Sequence, residues 1–270
     1  MPLAGKTNSM TETLSDDLPL SRDQIRFLAK SYHTLEYSPA LRSLLSKVFT
    51  DTDFSQYSKI NLHRCLNAFL TTKYAGEIAL KYHLFCRAAR KKLVAAFEIR
   101  VENSRVDFLT INGVSVSFEI KSELDRLDKL VKQASNYIKV FEYNYAVIDP
   151  RHKSNALKML PLAYGIVHLA EGKRTIEREA TANMGIDSGA QLNMLTKKEL
   201  SKAFANYTGR REIQNRFTDH AINIQFKEAL KSRYRNRWNF VVRHRKDILP
   251  IDLQFFFNRN IDPELIYNYG

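Results

Sequence analysis

Residues 105–121 read RVDFLTINGVSVSFEIK, and the way this stretch pairs with itself decides the fold. Asn112-Gly113 is a turn signal, because that pair tolerates the positive φ a tight hairpin needs. If the two residues formed the whole loop, Ile111 would face Val114 and Asp107 would face Phe118. Asp107 and Glu119 would then point to opposite sides of the sheet, and both faces would mix apolar with charged residues. One more loop residue, as in a type I turn with a glycine bulge, changes the sorting. Asp107 then sits opposite Glu119 and Arg105 opposite Lys121. Val106, Phe108, Thr110, Val116, Phe118 and Ile120 form an apolar face. Arg105, Asp107, Ser117, Glu119 and Lys121 form a polar one. The sequence therefore predicts the odd-length loop.

That register brings two carboxylates and a lysine together. Hard divalent cations take carboxylate and carbonyl oxygens, which Asp107, Glu119 and the carbonyl of Ile120 would supply. Lys121 would stand beside the metal, orienting a water or balancing charge on a phosphate. The set suits metal-assisted hydrolysis of a phosphodiester. The residues alone leave open a surface hairpin with a cross-strand charge pair.

Asp107 and Glu119-Ile120-Lys121 resemble the PD-(D/E)XK nuclease superfamily, the restriction-endonuclease-like fold. In that family an Asp on the second core strand and a (Glu/Asp)-x-Lys on the third form the catalytic core. Many members add a glutamate on the preceding helix, and some carry Gln-x-x-x-Tyr on the following one. Here Gln133-Ala-Ser-Asn-Tyr137 stands in that place, Glu77 on the helix before the sheet, and Glu98 on the strand before Asp107. The similarity covers roughly residues 73–150, and loosely 150–180. It is closest to small bacterial proteins of mostly unassigned role. The proline-aspartate pair of the commonest form is absent, since Val106 precedes Asp107. The resemblance implies an α/β (α+β) fold, a mixed sheet flanked by helices. It also implies Mg²⁺, or Mn²⁺ in its place, on Asp107 and Glu119, with Gln133 and Tyr137 supporting the site.

Outward from the hairpin, Leu93 to Glu102 reads as the first core strand, with Phe97, Ile99 and Val101 alternating with Glu98, Arg100 and Glu102. Antiparallel pairing would bring Glu98 onto the acidic face, so Glu77 and Glu98 compete for the role of third carboxylate. Glu77 also reads as a first-turn residue paired with Lys81. Upstream, residues 1–20 are polar and expected to be disordered. Ser21-Arg-Asp-Gln24 is a capping box opening a helix, and a second short helix covers Pro39 to Phe49. Leu62, Leu66, Phe69 and Leu70 mark a longer helix, with a break near Lys73 and another helix through Leu80, Leu84 and Ala88. Downstream, Leu124 to Phe141 reads as an amphipathic helix with a buried stripe of Leu124, Leu127, Val131, Ala134, Ile138 and Phe141. Gln133 and Tyr137 share one face of it. Tyr143 to Ile148 is a buried strand, and the helical crossover before it favours parallel addition to the sheet. Tyr164 to Leu169 and Lys173 to Arg178 form a peripheral pair joined at Glu171-Gly172. The glycines at 185 and 189 suggest a boundary.

Thr196-Lys-Lys-Glu199 caps the start of a basic helical C-terminal region. Arg233, Arg235, Arg237, Arg243 and Arg245, together with Arg105, are the expected phosphate contacts. Tyr234, Trp238 and Phe240 interleave with them, Trp238 mostly packed inward. The apolar tail from Ile248 to Tyr269 is expected to dock on the body. Three regions follow: a disordered tail and helical lead-in (1–58), a nuclease-like core (59–190) and the basic helical region (191–270).

The chain has 270 residues and a formal net charge of +13, which favours a polyanionic partner. No apolar run is long enough to span a bilayer, and no signal-peptide core opens the chain, so the expectation is a cytoplasmic protein without a membrane partner. Cys65 and Cys86 give no disulfide framework. His63-Arg-Cys65 and His83-Leu-Phe-Cys86 lack zinc-finger spacing and read as packed helix cysteines. The expected function is metal-dependent hydrolysis of phosphodiester bonds, in DNA first, in bacterial or phage-related processing or defence. A homodimer would suit cutting both strands of a duplex. The alternative is an inactive restriction-like fold that binds nucleic acid or protein as a regulatory or immunity module.

Overall fold

The computed structural model describes residues 20–72, 76–123, 125–170 and 173–268. The chain forms two compact units, one from residues up to 82 together with those from 240 onward, the other from 83 to 239. These limits differ from the boundaries at 58 and 190 that the sequence suggested. The reason is long-range burial. The apolar tail returns to the N-terminal helices, while residues 191–239 stay with the sheet. Residues 1–19, the break near Lys73, Leu124 and the Glu171-Gly172 joint lie outside the described residues.

In the first unit, α1 (Arg22–Ser31) starts at Ser21, whose hydroxyl accepts from the Gln24 amide while the Gln24 side chain caps Ser21 in return. Helices α2 (Ser38–Ser46) and α3 (Lys59–Thr72) follow. Leu28, Leu41, Leu45, Leu62 and Leu66 are buried between them, with Phe49 stacked on Phe69. Helix α4 (Glu77–Ala88) begins in this unit.

The second unit holds β1 (Val94–Val101), β2 (Ser104–Asn112), β3 (Val114–Lys121), α5 (Leu130–Tyr137), β4 (Tyr143–Ile148), α6 (Lys153–Met159), β5 (Gly165–Ala170) and β6 (Lys173–Arg178). Helices α7 (Ser188–Asn193), α8 (Lys197–Ala203), α9 (Arg210–Arg216) and α10 (Asp219–Arg243) follow, the last running on into the first unit. There α11 (Leu253–Arg259) and α12 (Pro263–Tyr267) close the chain. The tail docks within the first unit, as its composition implied. Ile251 packs on the N-terminal cluster, and the buried Asp252 carboxylate accepts from the hydroxyls of Tyr32 (2.6 Å) and Tyr267 (2.8 Å).

The fold is a mixed α+β architecture built on one six-stranded sheet in the order β1-β2-β3-β4-β5-β6. The first three strands are an antiparallel meander, β4 and β5 are added parallel, and β6 returns antiparallel. Strand β4 is reached through α5, the crossover that parallel neighbours require. In the hairpin, Ile111 pairs with Ser115 and Phe108 with Phe118. This is the odd-length register, with Gly113 at φ +75°.

The polar hairpin face holding Asp107 and Glu119 is largely buried, which the alternative of a surface hairpin does not fit. Ser115, Ser117 and Glu119 are buried, as are Leu109 and Ile111, because a sheet with parallel crossovers carries helices on its faces. The helical stripe keeps Leu127, Ala134 and Phe141 as expected, but Leu130 and Tyr137 take the places of Val131 and Ile138. Leu127, Leu130, Ala134, Tyr137 and Phe141 are buried, whereas Val131 is exposed. On the other face Trp238 packs edge-on to Phe85 and 6.3 Å from Phe108.

Candidate metal centre on the strands

The β1–β2 ladder pairs Phe97 with Phe108 and Ile99 with Val106, which puts Glu98 opposite Asp107. The β2–β3 ladder runs as far as Phe108 and Phe118, and the same register puts Asp107 opposite Glu119. Three carboxylates therefore lie in one row across three strands. At this row the ladders change character. The Asp107 carboxylate, not a backbone carbonyl, accepts the Ile120 N–H at 2.6 Å. A carboxylate oxygen of Glu98 lies within 4.8 Å of one of Asp107. Glu98 itself has φ +57° inside a strand, a conformation that costs a non-glycine residue about 1–3 kcal/mol and concentrates at functional sites.

Glu119 is 1% exposed. Its Oε1 accepts from Lys121 Nζ at 2.7 Å, and its Oε2 from the Tyr137 hydroxyl at 3.0 Å. A buried charge without such partners would be costly. Burial alone would push the Lys121 ammonium down. The charge and hydrogen bond of Glu119, then the charges of Asp107 and Asp125, outweigh it and hold the lysine above its ordinary value. Lys121 thus stays a cation at neutral pH. Burial, then the Glu119 charge, raises the Tyr137 hydroxyl, which remains a donor. Tyr164, fully buried in the cluster beneath this face, is raised by the same two causes.

The expected residues sort as follows. Asp107, Glu119, Lys121 and Tyr137 come together, and Glu98 joins them by register. The Gln133 side-chain oxygen, one helical turn from Tyr137, is buried with no hydrogen-bond partner among the described residues. Ile120 is tied to Asp107 through its N–H. Glu77 opens α4 in the first unit and pairs with Lys81 at 2.5 Å. Arg105, largely exposed, sits 3.5 Å from Glu98. Arg233 departs from its expected role as a phosphate contact. Its Nε and Nη2 bind both oxygens of Glu199, at 2.7 and 2.5 Å, and Nη2 also reaches the Met194 carbonyl at 2.9 Å. It anchors α10 to α8. Arg235, Arg237, Arg243 and Arg245 are exposed.

Two contributors were missed in the sequence. Asp125 accepts from the Ser122 amide and hydroxyl, both at 2.6 Å, fixing the chain just past Lys121. Ser122-x-x-Asp125 was a readable local signal for it. Tyr164 had no signal, because only the parallel sheet brings it near Glu119.

The strain at Glu98 yields a test. Glu98→Gly removes the left-handed penalty, together with the 3.5 Å ion pair to the largely exposed Arg105. Stability is expected to rise by about 1 kcal/mol in urea unfolding. A decrease would mean that contacts of the carboxylate outweigh the strain.

The fold and row together define a mixed α+β protein with a carboxylate–lysine centre on the antiparallel half of its sheet. The bacteriophage P4 protein cII family matches residues 79–256, and the chain belongs to that family. The matched span contains Glu98, Asp107, Glu119, Lys121, Gln133 and Tyr137. No curated protein matches the chain. A protein of unknown function from Silicibacter pomeroyi is 18% identical over 54% of this chain and 91% of its own, at a TM-score of 0.32. So low a similarity bears on neither fold nor function.

Proposed function

We propose that the chain is a metal-dependent nuclease of the PD-(D/E)XK type that hydrolyses phosphodiester bonds in DNA, in a bacterial or phage-related setting. The observation that carries this reading is the row of Glu98, Asp107 and Glu119 on three adjacent strands, with Lys121 hydrogen-bonded into it. The donor set fits a hard cation. It is all oxygen, partly buried, and includes two carboxylates close enough to share one ion. Asp107 and Glu98 would hold Mg²⁺, with Glu119 contributing an oxygen now turned toward Lys121 or Tyr137. Bound Mg²⁺ supplies Lewis-acid activation of the phosphate. The chain's own residues do the rest. Lys121 orients a water and stabilises charge developing on the phosphate oxygens. Tyr137 fixes the Glu119 rotamer. Asp125 holds the strand end that presents Lys121.

Charge distribution supports a polyanionic substrate. Of the 42 basic and 29 acidic residues, 28 and 17 fall within 83–239, so the unit holding the row carries +11 of the net +13. Backbone contacts of that kind give binding without sequence readout. Among the described residues no helix is long and apolar enough to cross a membrane.

The test is cleavage of plasmid, linear duplex, single-stranded DNA and RNA with Mg²⁺ or Mn²⁺, comparing the wild type with Asp107→Asn. Cleavage lost in the variant is the expected result, and the substrate that is cut names the class. No cleavage of any substrate, with salt-sensitive binding by both proteins, would replace this reading with an inactive binding module.

A further inference from the structure

On the sheet face opposite the carboxylate row lies a half-open cavity of about 150 Å³. Val147, Val167, Phe108, Phe118 and Tyr145 line it from the sheet. Phe118 and Tyr145 lie nearly parallel, with ring centroids 5.6 Å apart and planes 14° apart. The Tyr145 ring is fixed at both ends. Its hydroxyl donates to Glu179 at 2.7 Å. Its ring edge lies over Gly165, where a Cβ would come within 2.2 Å of it. Any other residue at 165 would push the ring out of the wall. The last turn of α4 and the chain after it complete the cavity, placing the exposed cations Arg87 and Lys91 at its margin.

A mostly apolar cavity of this size has room for one benzene-sized ring. Flat aromatic walls favour a planar ring, since a base stacks on an aromatic side chain whatever its sequence. Two cations at the margin call for an anionic group attached to that ring. We propose that this cavity binds a single pyrimidine-sized nucleobase, with its phosphate held by Arg87 and Lys91. The second ring of a purine would have to sit in the open mouth of the cavity. The site is separate from the carboxylate row, because Phe108 and Phe118 face away from Asp107 and Glu119 on the same two strands.

The test titrates the full chain, by calorimetry, with uridine monophosphate, adenosine monophosphate and inorganic phosphate. Saturable uridine monophosphate binding is expected, with weaker binding of adenosine monophosphate and none of phosphate alone. Thr110→Trp, which fills the cavity, and the exposed double variant Arg87→Ala/Lys91→Ala should each weaken uridine monophosphate at least about tenfold. The double variant keeps the test valid should the tryptophan disturb folding. Unchanged affinity in the folded variants, or phosphate binding as well as the nucleotide, would overturn the proposal. An oligothymidine that displaces the nucleotide identifies an unpaired strand as the source of the base. Failure to displace identifies free nucleotide, and the site stands in either case. Asp107→Asn should leave nucleotide binding unaltered, so the failure of this proposal and of the nuclease reading are distinguishable.

Discussion

Replacing Lys121 by methionine is expected to destabilise the protein by about 3–5 kcal/mol and, on the proposed nuclease function, to lower metal-dependent phosphodiester cleavage by about a thousandfold or more. Both effects come from one contact. Lys121 Nζ lies 2.7 Å from a glutamate that is almost completely buried. Without the ammonium, Glu119 retains Tyr137 as a donor but has lost the cation bonded to it. The same loss removes the positive charge that would face the reacting phosphate. The two effects separate in a second variant. Glu119→Gln/Lys121→Met takes away both charges, so much of the lost stability should return while cleavage stays absent. Urea unfolding and a plasmid-nicking assay read the two quantities independently. The pH dependence has a definite sign. The folded-state pKa of Lys121 is raised above its ordinary 10.5, so its contribution is complete below pH 10.5 and is lost as pH rises through the higher folded value. Wild-type stability should therefore fall more steeply than that of the double variant in strongly alkaline solution.

Glu142→Gln is expected to cost about 2–4 kcal/mol and to flatten the acid limb of the stability profile. The Glu142 carboxylate accepts from Lys227 Nζ (2.8 Å), Asn223 (2.9 Å) and the Ser115 amide (2.6 Å). Lys227 also reaches the carbonyl of Gly113 at 2.6 Å. One cluster thus ties the hairpin turn, the start of β4 and helix α10 together. Burial raises the Glu142 carboxyl, but the hydrogen bonds of Lys227, Ser115 and Asn223 and the lysine charge overcome it and leave the group below its ordinary 4.5. A lowered carboxylate stabilises the fold above pH 4.5, and this is lost as pH falls through the folded value. Urea midpoints between pH 7 and 3 should show the wild type losing more stability than Glu142→Gln. A parallel pair of profiles would mean that the carboxylate's charge is not what holds the cluster. Glu199 is lowered too, by Arg233 and Thr196 against its own burial, and should account for part of the slope the variant keeps.

The hairpin shows how far the residues themselves carry the fold. Asn112-Gly113 and the two-residue alternation around it leave one register that sorts the faces, and that register aligns Asp107 with Glu119. The capping boxes at Ser21 and Thr196 were equally local, each written in four consecutive residues. The parallel placement of β4 followed from the length of the crossover between it and β3. These features rest on neighbours in sequence, so periodicity and turn chemistry express them directly.

The tertiary structure decided the rest. Arg233 looked like one arginine among several on a basic helix. Glu199, 34 residues away, captures it because α8 packs beside α10. Tyr164 became part of the Glu119 environment only once β5 lay parallel to β4. Val131 and Ile138 fitted an amphipathic stripe as well as Leu130 and Tyr137 did. The buried pair was chosen by what the helix meets, above all the acceptor Glu119 waiting for the Tyr137 hydroxyl. The left-handed backbone of Glu98 had no sequence signature, because nothing in a glutamate favours φ +57°. The sequence alone determined which residues could form a carboxylate–lysine row. Packing across long chain separations decided which of them are buried, strained and bonded into one, because contact energies between distant residues leave no period in the chain.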